Sequence, residues 1–186
     1  MDISRSPAVL PLPDNIRRRF IEPPTLWFVG NGQLLNAPLL GLLCSRECPG
    51  SAILETLDKV PEWIESGRVV VSGFHSPLEQ QILRSLLRRS GKAVKVLARS
   101  LENHHPSPIE HQAIADGRLL LISPFASNVH RTTRATALER NRLVIALAAE
   151  RVVPYVKEQS PLAELLRKGE ENHFDPQCNA IPRLQK

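Results

Sequence analysis

A turn that could bind an anion lies between residues 68 and 79. The apolar run Val69–Val71 ends at Ser72-Gly73, and a helical pattern begins shortly afterwards. Such a turn points free backbone N–H groups toward whatever binds there, and these groups favour an anion. Gly73 can adopt a positive φ or let a ligand approach the backbone closely. The pattern predicts a strand, an anion-binding turn and a helix, although any α/β protein has several such turns.

The residues after this turn have both a functional and a structural interpretation. His75 and Ser76 could donate hydrogen bonds to the anion. We expect Ser76 to cap a helix instead, because Pro77 suits the first helical position. Glu79 lies near the same N-terminus, where a carboxylate interacts favourably with the helix dipole. His75 is therefore the candidate anion-binding residue after this turn. The alternative is that His75 only completes the turn and has no further role.

Arginines that could hold a phosphate follow an apolar run and interrupt a helix. Arg46 comes directly after Cys44-Ser45, where a guanidinium could bind phosphate through two parallel hydrogen bonds, and a surface arginine is the alternative. Arg140 and Arg142 flank Asn141 in an otherwise apolar helix. Two residues apart, they cannot share a helix face, so one must lean toward the sheet edge or pack its stem on the core. A structural ion pair is the alternative for this block.

Further basic residues could join these arginines in one positive surface for a phosphate backbone. They are Arg84, Arg88, Arg89, Lys92, Lys95, Arg99, Arg131 and Arg134. Phe74 and Phe125 are the loop aromatics available for base stacking, and Phe74 fits a core position equally well.

Histidines and cysteines do not form a recognisable metal site in the sequence. His104 and His105 lie in a polar segment, where we expect them to be solvated. Cys44 and Cys48 are separated by three residues and Cys178 is distant, a spacing that matches no structural zinc site. The sequence therefore predicts reduced thiols and no metal.

Strand and helix signals alternate along most of the chain and determine where these residues lie. Strands are predicted at 26–29, 38–43, 69–71, 93–97, 119–122 and 152–156, and helices at 51–66, 77–89, 109–116, 132–150 and 161–167. This alternation predicts an α/β fold, a doubly wound, mostly parallel sheet with helices on both faces. Ligands bind such sheets at the carboxyl ends of the strands. Ser45-Arg46, Ser72-Gly73 and Arg99 would then lie along one edge.

The composition agrees with this fold class. Of the 186 residues 42% are hydrophobic but only 4% are aromatic, so Leu, Val, Ile and Ala must build the core. The net charge of +5 suits an anionic partner without requiring one. Because no dinucleotide fingerprint, P-loop or nucleophile elbow is present, we expect neither a nicotinamide dehydrogenase, a P-loop NTPase nor an α/β-hydrolase. The absence of a signal sequence and of a long apolar run predicts a cytoplasmic protein that does not enter the membrane.

Several motifs occur in the order of one known family. They are Cys44-Ser45-Arg46, Val70–Phe74, the run 117–123 and Glu139–Ala146. They resemble, respectively, the glycine-serine-arginine motif, the V-S-G-L turn, the G-x-L-L-S-E segment and the arginine-asparagine-arginine helix of the DNA-processing protein A (DprA/Smf) family. The last match is the most specific. The resemblance covers the chain from about residue 24 to residue 156.

In that family, an extended Rossmann-like domain loads a recombinase onto incoming single-stranded DNA. The resemblance implies a non-enzymatic protein that binds single-stranded DNA in DNA uptake or recombination and needs no cofactor. A recombinase and a second copy of the chain are further partners that it suggests. Together with the residue pattern, it proposes nine residues for contact with phosphate: Ser45, Arg46, Ser72, Gly73, His75, Arg99, Arg140, Asn141 and Arg142.

The chain also departs from the family pattern. His75–Glu79 replaces A-[RK]-G-I-D, Cys44 replaces a glycine, and no S-G-S-x-x-T segment follows Val156. Two alternatives are therefore open, a nucleotide-binding sensor and a degenerate member that acts through a protein partner. The predicted organisation is a basic, proline-rich arm at 1–24 that adds little to the core, a Rossmann-like domain at 25–157, and a short helix with a frayed tail at 158–186.

Overall fold

The computed structural model describes residues 8–102 and 104–171, and one seven-stranded sheet lies within them. Its strands are β1 (Ala8–Leu10), β2 (Leu26–Gly30), β3 (Leu39–Leu42), β4 (Val69–Ser72), β5 (Lys92–Val96), β6 (Leu119–Ser123) and β7 (Glu150–Val152). Their spatial order is β1-β2-β6-β5-β4-β3-β7. The five strands from β6 to β7 are parallel, whereas β2 and β1 extend the sheet antiparallel. The predicted mostly parallel sheet is confirmed.

Helices cover both faces of this sheet. They are α1 (Asp14–Arg17), α2 (Gly50–Asp58), α3 (Val60–Glu65), α4 (Pro77–Arg88), α5 (Pro108–Ala115), α6 (Arg134–Leu147) and α7 (Pro161–Glu171), with a short 3-10 helix at Gly32–Asn36. Buried residues of α3, α4 and α5, such as Trp63 and Leu78, form one core cluster, against which α2 also packs. A second core cluster contains buried residues of α1, α6 and α7, namely Ile16, Leu143 and Leu162. The two clusters confirm the doubly wound arrangement.

The central strands have the composition that two covered faces require. All four residues of β3 and of β4 are buried, which explains why both segments are continuous apolar runs rather than alternating ones. The predicted helix at 51–66 is divided at Pro61, because α2 ends at Asp58 and α3 carries Pro61 in its first turn. α4 begins at Pro77 and buries Leu78, Ile82 and Leu86 against the sheet.

The winding of the chain reverses at β3. β4 pairs with one side of β3, whereas β7, the last strand, pairs with its other side. The connection from β3 to β4 runs through α2 and α3 on one face, and α6 leads into β7 on the other. Adjacent loops therefore leave the carboxyl end of the sheet in opposite directions, which opens a crevice.

The expectation that the first 24 residues add little to the core is wrong. Leu10 in β1 and Ile16 in α1 are 6% and 2% exposed and join the core of the α6 face. Arg19 donates from Nη1 to the carbonyl oxygens of Leu147 and Ala148, at 3.2 and 2.8 Å. This segment therefore closes the C-terminal end of α6, where unpaired carbonyls and the helix dipole favour a cation.

The end of the domain also differs in detail from the prediction. β7 stops at Val152, so Tyr155 and Val156, which were expected to extend the last strand, lie in the connection to α7. α7 confirms the short helix, and the predicted frayed tail falls mostly outside the described residues, as does Cys178. The boundaries 1–24, 25–157 and 158–186 stay predictions. No helix in the described part of the chain is long and apolar enough to cross a membrane.

Replacing Ile16 with alanine tests whether the N-terminal segment belongs to the core. We expect Ile16→Ala to lower the free energy of unfolding by about 2–5 kcal/mol, because it leaves a cavity beside α6. Ile21→Ala, at a side chain fully exposed to solvent, is the matched control and should change it by less than about 0.5 kcal/mol. Denaturant unfolding measures both, and equal stability of the two variants would show that the segment is dispensable for the core.

Candidate functional site

A cleft of about 550 Å³ opens at the carboxyl ends of β3 and β4, where the winding reverses. The loops after β3 and β4 form one side, and the first half of α6 with the segment around the start of α7 forms the other. The polar and charged residues that line it are Ser45, Arg46, Glu47, His75, Ser76, Glu79, Thr132, Thr133, Arg134, Arg140, Asn141, Lys157 and Ser160. The cleft therefore lies at the sheet edge that the sequence predicted.

The buried carboxylate of Glu79 ties the two loops together. Its Oε1 accepts from the backbone N–H of Cys44 at 2.9 Å, and its Oε2 accepts from those of His75 and Ser76 at 2.8 and 3.1 Å. Ser76 Oγ in turn accepts from the Glu79 N–H at 3.3 Å, which completes a capping box and confirms the predicted role of Ser76. Glu79 itself, expected only to favour the helix dipole, joins the ends of β3 and β4.

The charge of Glu79 is partly compensated by its surroundings. Burial raises the pKa of this carboxyl, and the three backbone N–H groups and the positive charge of Arg140 offset part of that rise. Hydrogen bonds from N–H groups to a carboxylate are stronger than those between neutral groups, so a charged Glu79 holds both loops firmly.

Arg46 and His75 meet across the mouth of the cleft. Arg46 Nη2 lies 3.2 Å from His75 Nε2, and both residues are exposed. A guanidinium can only donate, so His75 Nε2 accepts and the imidazole is neutral, with its proton on Nδ1. Burial, followed by the charges of Arg140 and Arg46, lowers the pKa of His75. The pair presents several N–H donors to the cleft.

Arg140 forms part of the cleft wall, and Gly73 provides the space for it. Arg140 is 6% exposed, and a Cβ atom built on Gly73 would lie 1.6 Å from its Nη1. Burial lowers the pKa of Arg140, and the nearby Glu79 carboxylate raises it. The buried Nε has no hydrogen-bond partner among the described residues. The guanidinium is therefore held by packing and by the field of Glu79 rather than by an ion pair.

Gly73 is needed for this contact rather than for its backbone freedom. The sequence suggested a positive φ or a close approach at Gly73, but Phe74 adopts the positive φ of +46°. The close approach is made by an arginine of the same chain. Phe74 is 4% exposed in the core and not available for base stacking, and Phe125 does not line the cleft.

The structure brings five of the nine candidate residues to the cleft lining and Gly73 directly behind it. The five are Ser45, Arg46, His75, Arg140 and Asn141. Ser45 Oγ also accepts from the Lys157 N–H at 2.9 Å and so joins the loops after β3 and β7. The predicted division between the two arginines of α6 is present, because Arg140 is buried and Arg142 is exposed and bonded to Glu139 at 2.9 Å.

The other three candidates do not line this cleft. Ser72 is fully buried, and its hydroxyl accepts from the Phe74 N–H at 3.1 Å. Arg99 follows β5, beyond the lining residues, and Arg142 lies on the exposed side of α6. Ser72 shapes the turn and has no surface to offer a ligand.

Arg134 and Lys157 line the cleft although neither was among the nine candidates. Arg134 begins α6 and makes no ion pair with any residue that the structure describes. Lys157 bonds Glu47 at 2.8 Å, an exposed pair at the rim. Arg134 had been noted only as one of many basic residues. Lys157 lies at the cleft because β7 pairs with β3. This long-range pairing cannot be inferred from the local sequence pattern.

His104 differs from its predicted solvated state. Both of its ring nitrogens are buried without a hydrogen-bond partner among the described residues, and burial lowers its pKa to about 4. In the described ranges no three His, Cys, Asp or Glu side chains lie close enough to hold a metal ion. Cys44, also in the cleft wall, has a thiol whose pKa is raised by burial.

Comparison with known proteins gives a family and a fold. The model of the family described as DNA recombination-mediator protein A matches residues 11–161. DNA processing protein A from Helicobacter pylori, in a structure concerned with that protein's single-stranded DNA binding mode, has a TM-score of 0.71 at 22% identity, with 91% of this chain and 80% of that chain covered. DNA processing protein A from Streptococcus pneumoniae has a TM-score of 0.69 at 22% identity, with 84% and 55% covered. No curated protein sequence matches.

Replacing Gly73 with alanine should displace Arg140. The clash involves the end of a long side chain, so we expect the fold to persist, with the free energy of unfolding lowered by about 1–3 kcal/mol. Moving the guanidinium away removes a positive charge that lowers the pKa of His75, so this pKa rises. NMR titration of the His75 ring measures the change. Gly50→Ala, where a Cβ meets nothing within 4 Å, is the control; an unchanged His75 pKa in Gly73→Ala would contradict the contact.

Proposed function

The chain belongs to the DNA recombination-mediator protein A family, and on this basis we propose that it binds single-stranded DNA in the cleft at the ends of β3 and β4. The observation that carries the proposal is the convergence of Arg46, Arg140 and Arg134 on one cleft, none with an ion pair in the described ranges. Arg46 and Arg134 are exposed cations, whereas the charge of Arg140 is partly compensated by Glu79. A cleft with this excess of positive charge suits a phosphate backbone. Arg46 also lies in the family's glycine-serine-arginine motif, here Cys44-Ser45-Arg46.

The chemistry of the lining points to recognition of the backbone rather than of bases. The exposed guanidinium of Arg46 can bind a phosphate with two parallel hydrogen bonds, while Arg140 adds positive charge from the wall. Hydroxyl groups of Ser45 and Thr133 offer further polar contacts. No aromatic side chain of the described residues lines the cleft, so we expect base stacking by them to contribute little there. We therefore expect binding with weak sequence preference.

The residue assignments follow from this proposal. Arg46, His75, Arg140 and Asn141 would contact or face the phosphate, and Ser45 would add a hydroxyl. Gly73 would act through Arg140 and Ser72 through the turn, whereas Arg99 and Arg142 would contribute only long-range charge. We propose no catalytic residue and no cofactor. A recombinase partner and a homodimer are further predictions that rest on the family resemblance. A cytoplasmic location is a prediction that rests on the sequence.

A free nucleotide is the second candidate ligand. A cleft of about 550 Å³ falls within the range of small-molecule sites, which supports this alternative. A thermal-shift panel that compares mononucleotides with short oligothymidylates separates the two ligands, because a ligand bound only to the folded state raises the melting temperature. Stabilisation by a mononucleotide alone would favour a sensor. Stabilisation by neither, with capture of a protein partner, would favour the degenerate member.

Substitution of Arg46 tests the role of the cleft directly. We expect Arg46→Ala to weaken the binding of an oligothymidylate by at least about tenfold and to make the affinity less dependent on salt, because one phosphate contact is lost. Arg17→Ala, which removes an exposed charge on α1, is the control and should change the affinity by less than about twofold. Fluorescence anisotropy over a salt series measures both. Equal affinities of the two variants would place the DNA elsewhere on the protein.

The pH dependence of binding tests the part played by His75. The lowered pKa keeps His75 neutral near neutral pH, and a bound phosphate favours the protonated ring. Affinity should therefore rise as the pH falls below the ordinary histidine value of about 6.5, and His75→Asn should reduce this rise. Protonation of buried Glu79 would add to the effect, so the difference between variants is the relevant quantity. His105→Asn, at an exposed histidine, is the control and should retain the full rise in affinity at low pH. If both variants lost this rise, a specific role for His75 would be excluded.

A further inference from the structure

A second basic depression lies between α2 and α4, outside the cleft. It has a volume of about 310 Å³ and is lined by Leu57, Gln81, Arg84, Ser85, Arg88 and Arg89. We refer to these residues as the α4 groove. Half of these lining residues are arginine, and none of them is acidic. Glu55 and Asp58 on α2 lie outside the lining.

The arginines of the α4 groove have no structural role that would explain them. All three are exposed, and within the described residues none forms an ion pair or a side-chain hydrogen bond. Glu79, the acidic residue of α4, is buried at the other end of the helix and holds the loops of the cleft. The groove therefore presents three exposed guanidinium groups to solvent, and such a cluster of positive charge attracts anions.

One face of α4 leads from the α4 groove toward the cleft, although the two depressions share no lining residue. Pro77, Gln81, Arg84 and Arg88 follow one another at three or four residues, so they form a single stripe along the helix. At a rise of 1.5 Å per residue this stripe extends about 17 Å from the helix start, where His75 and Ser76 line the cleft. It carries no negative charge. A strand leaving the cleft beside His75 would meet it first.

We propose that the single strand held in the cleft continues along the α4 groove, where Arg84 and Arg88 contact successive phosphates. This inference rests on the proposed function of the cleft. Arg84 and Arg88 lie one helical turn apart, about 6 Å along the axis, a separation that one extended nucleotide can span. Arg89 adds charge at the far end, and the aliphatic stem of each arginine with Leu57 gives the sugars an apolar surface.

The inference makes the affinity depend on the length of the DNA. An oligothymidylate of about four nucleotides occupies the cleft alone, whereas one of about twenty reaches the α4 groove as well. Anisotropy titrations with both lengths, over a salt series, therefore separate the two surfaces. The variant Arg84→Glu/Arg88→Glu reverses two charges in the groove. Arg17→Glu/Arg18→Glu, at the C-terminal end of α1 on the opposite face of the sheet, changes the net charge equally and is the matched control.

We expect the groove variant to lose at least about tenfold in affinity for the long oligonucleotide, with a salt dependence shallower by about 1.4 in logarithmic slope for two lost phosphate contacts. Its affinity for the short oligonucleotide and its melting temperature should match those of the control.

Equal loss on both lengths, or no loss on either, would overturn the inference and leave the cleft as the whole binding site. Failure of the unchanged protein to bind either length would instead remove the proposed function and this extension together. Binding of an acidic polypeptide in place of the long oligonucleotide would assign the groove to a protein partner and overturn the inference.

Discussion

The geometry of the cleft depends on one buried carboxylate that binds three backbone N–H groups. Glu79 reaches from the first turn of α4 to Cys44 at the end of β3 and to His75 and Ser76 at the end of β4. A carboxylate buried in this way is unfavourable unless donors and a positive charge compensate it. The three N–H groups and Arg140 supply that compensation. Because Glu79 fixes both loops, it also fixes Arg46 and His75, the side chains that meet at the mouth of the cleft.

Arg140 connects this carboxylate to the rest of the cleft wall. Its stem extends from α6, on one face of the sheet, and its guanidinium packs where a side chain on Gly73 would lie. The charge of Glu79 raises the pKa of Arg140, and the charge of Arg140 favours the ionised Glu79. Each group makes the burial of the other less costly although they form no direct ion pair in the described structure. Helices on opposite faces are thereby coupled at one edge of the sheet.

Most of the fold could be predicted from the sequence because its central strands and α4 carry strong local patterns. Val69–Val71 is apolar throughout because both faces are covered, and Ser76-Pro77 marks a helix start. The contribution of Ile16 was missed because a four-residue helix among prolines has no readable period. Which of Arg140 and Arg142 turns inward depends on the rotation of α6 against Gly73, and Lys157 joins the cleft only through the pairing of β7 with β3. Contacts between residues so far apart in the sequence cannot be predicted from the spacing of neighbouring residues.

The segment that departs most from the family pattern is also internally consistent. Where the family has A-[RK]-G-I-D, this chain has His75, a serine cap, a proline at the first helical position, a buried leucine and Glu79. The second position, basic in the family, is occupied here by Ser76, which is 3% exposed and serves the helix cap. Two permanent positive charges lie beside this turn, Arg46 on the neighbouring loop and Arg140 behind Gly73. His75 adds a third positive charge only when its ring is protonated. The substitution therefore keeps positive charge beside the turn and makes part of that charge depend on the protonation of His75.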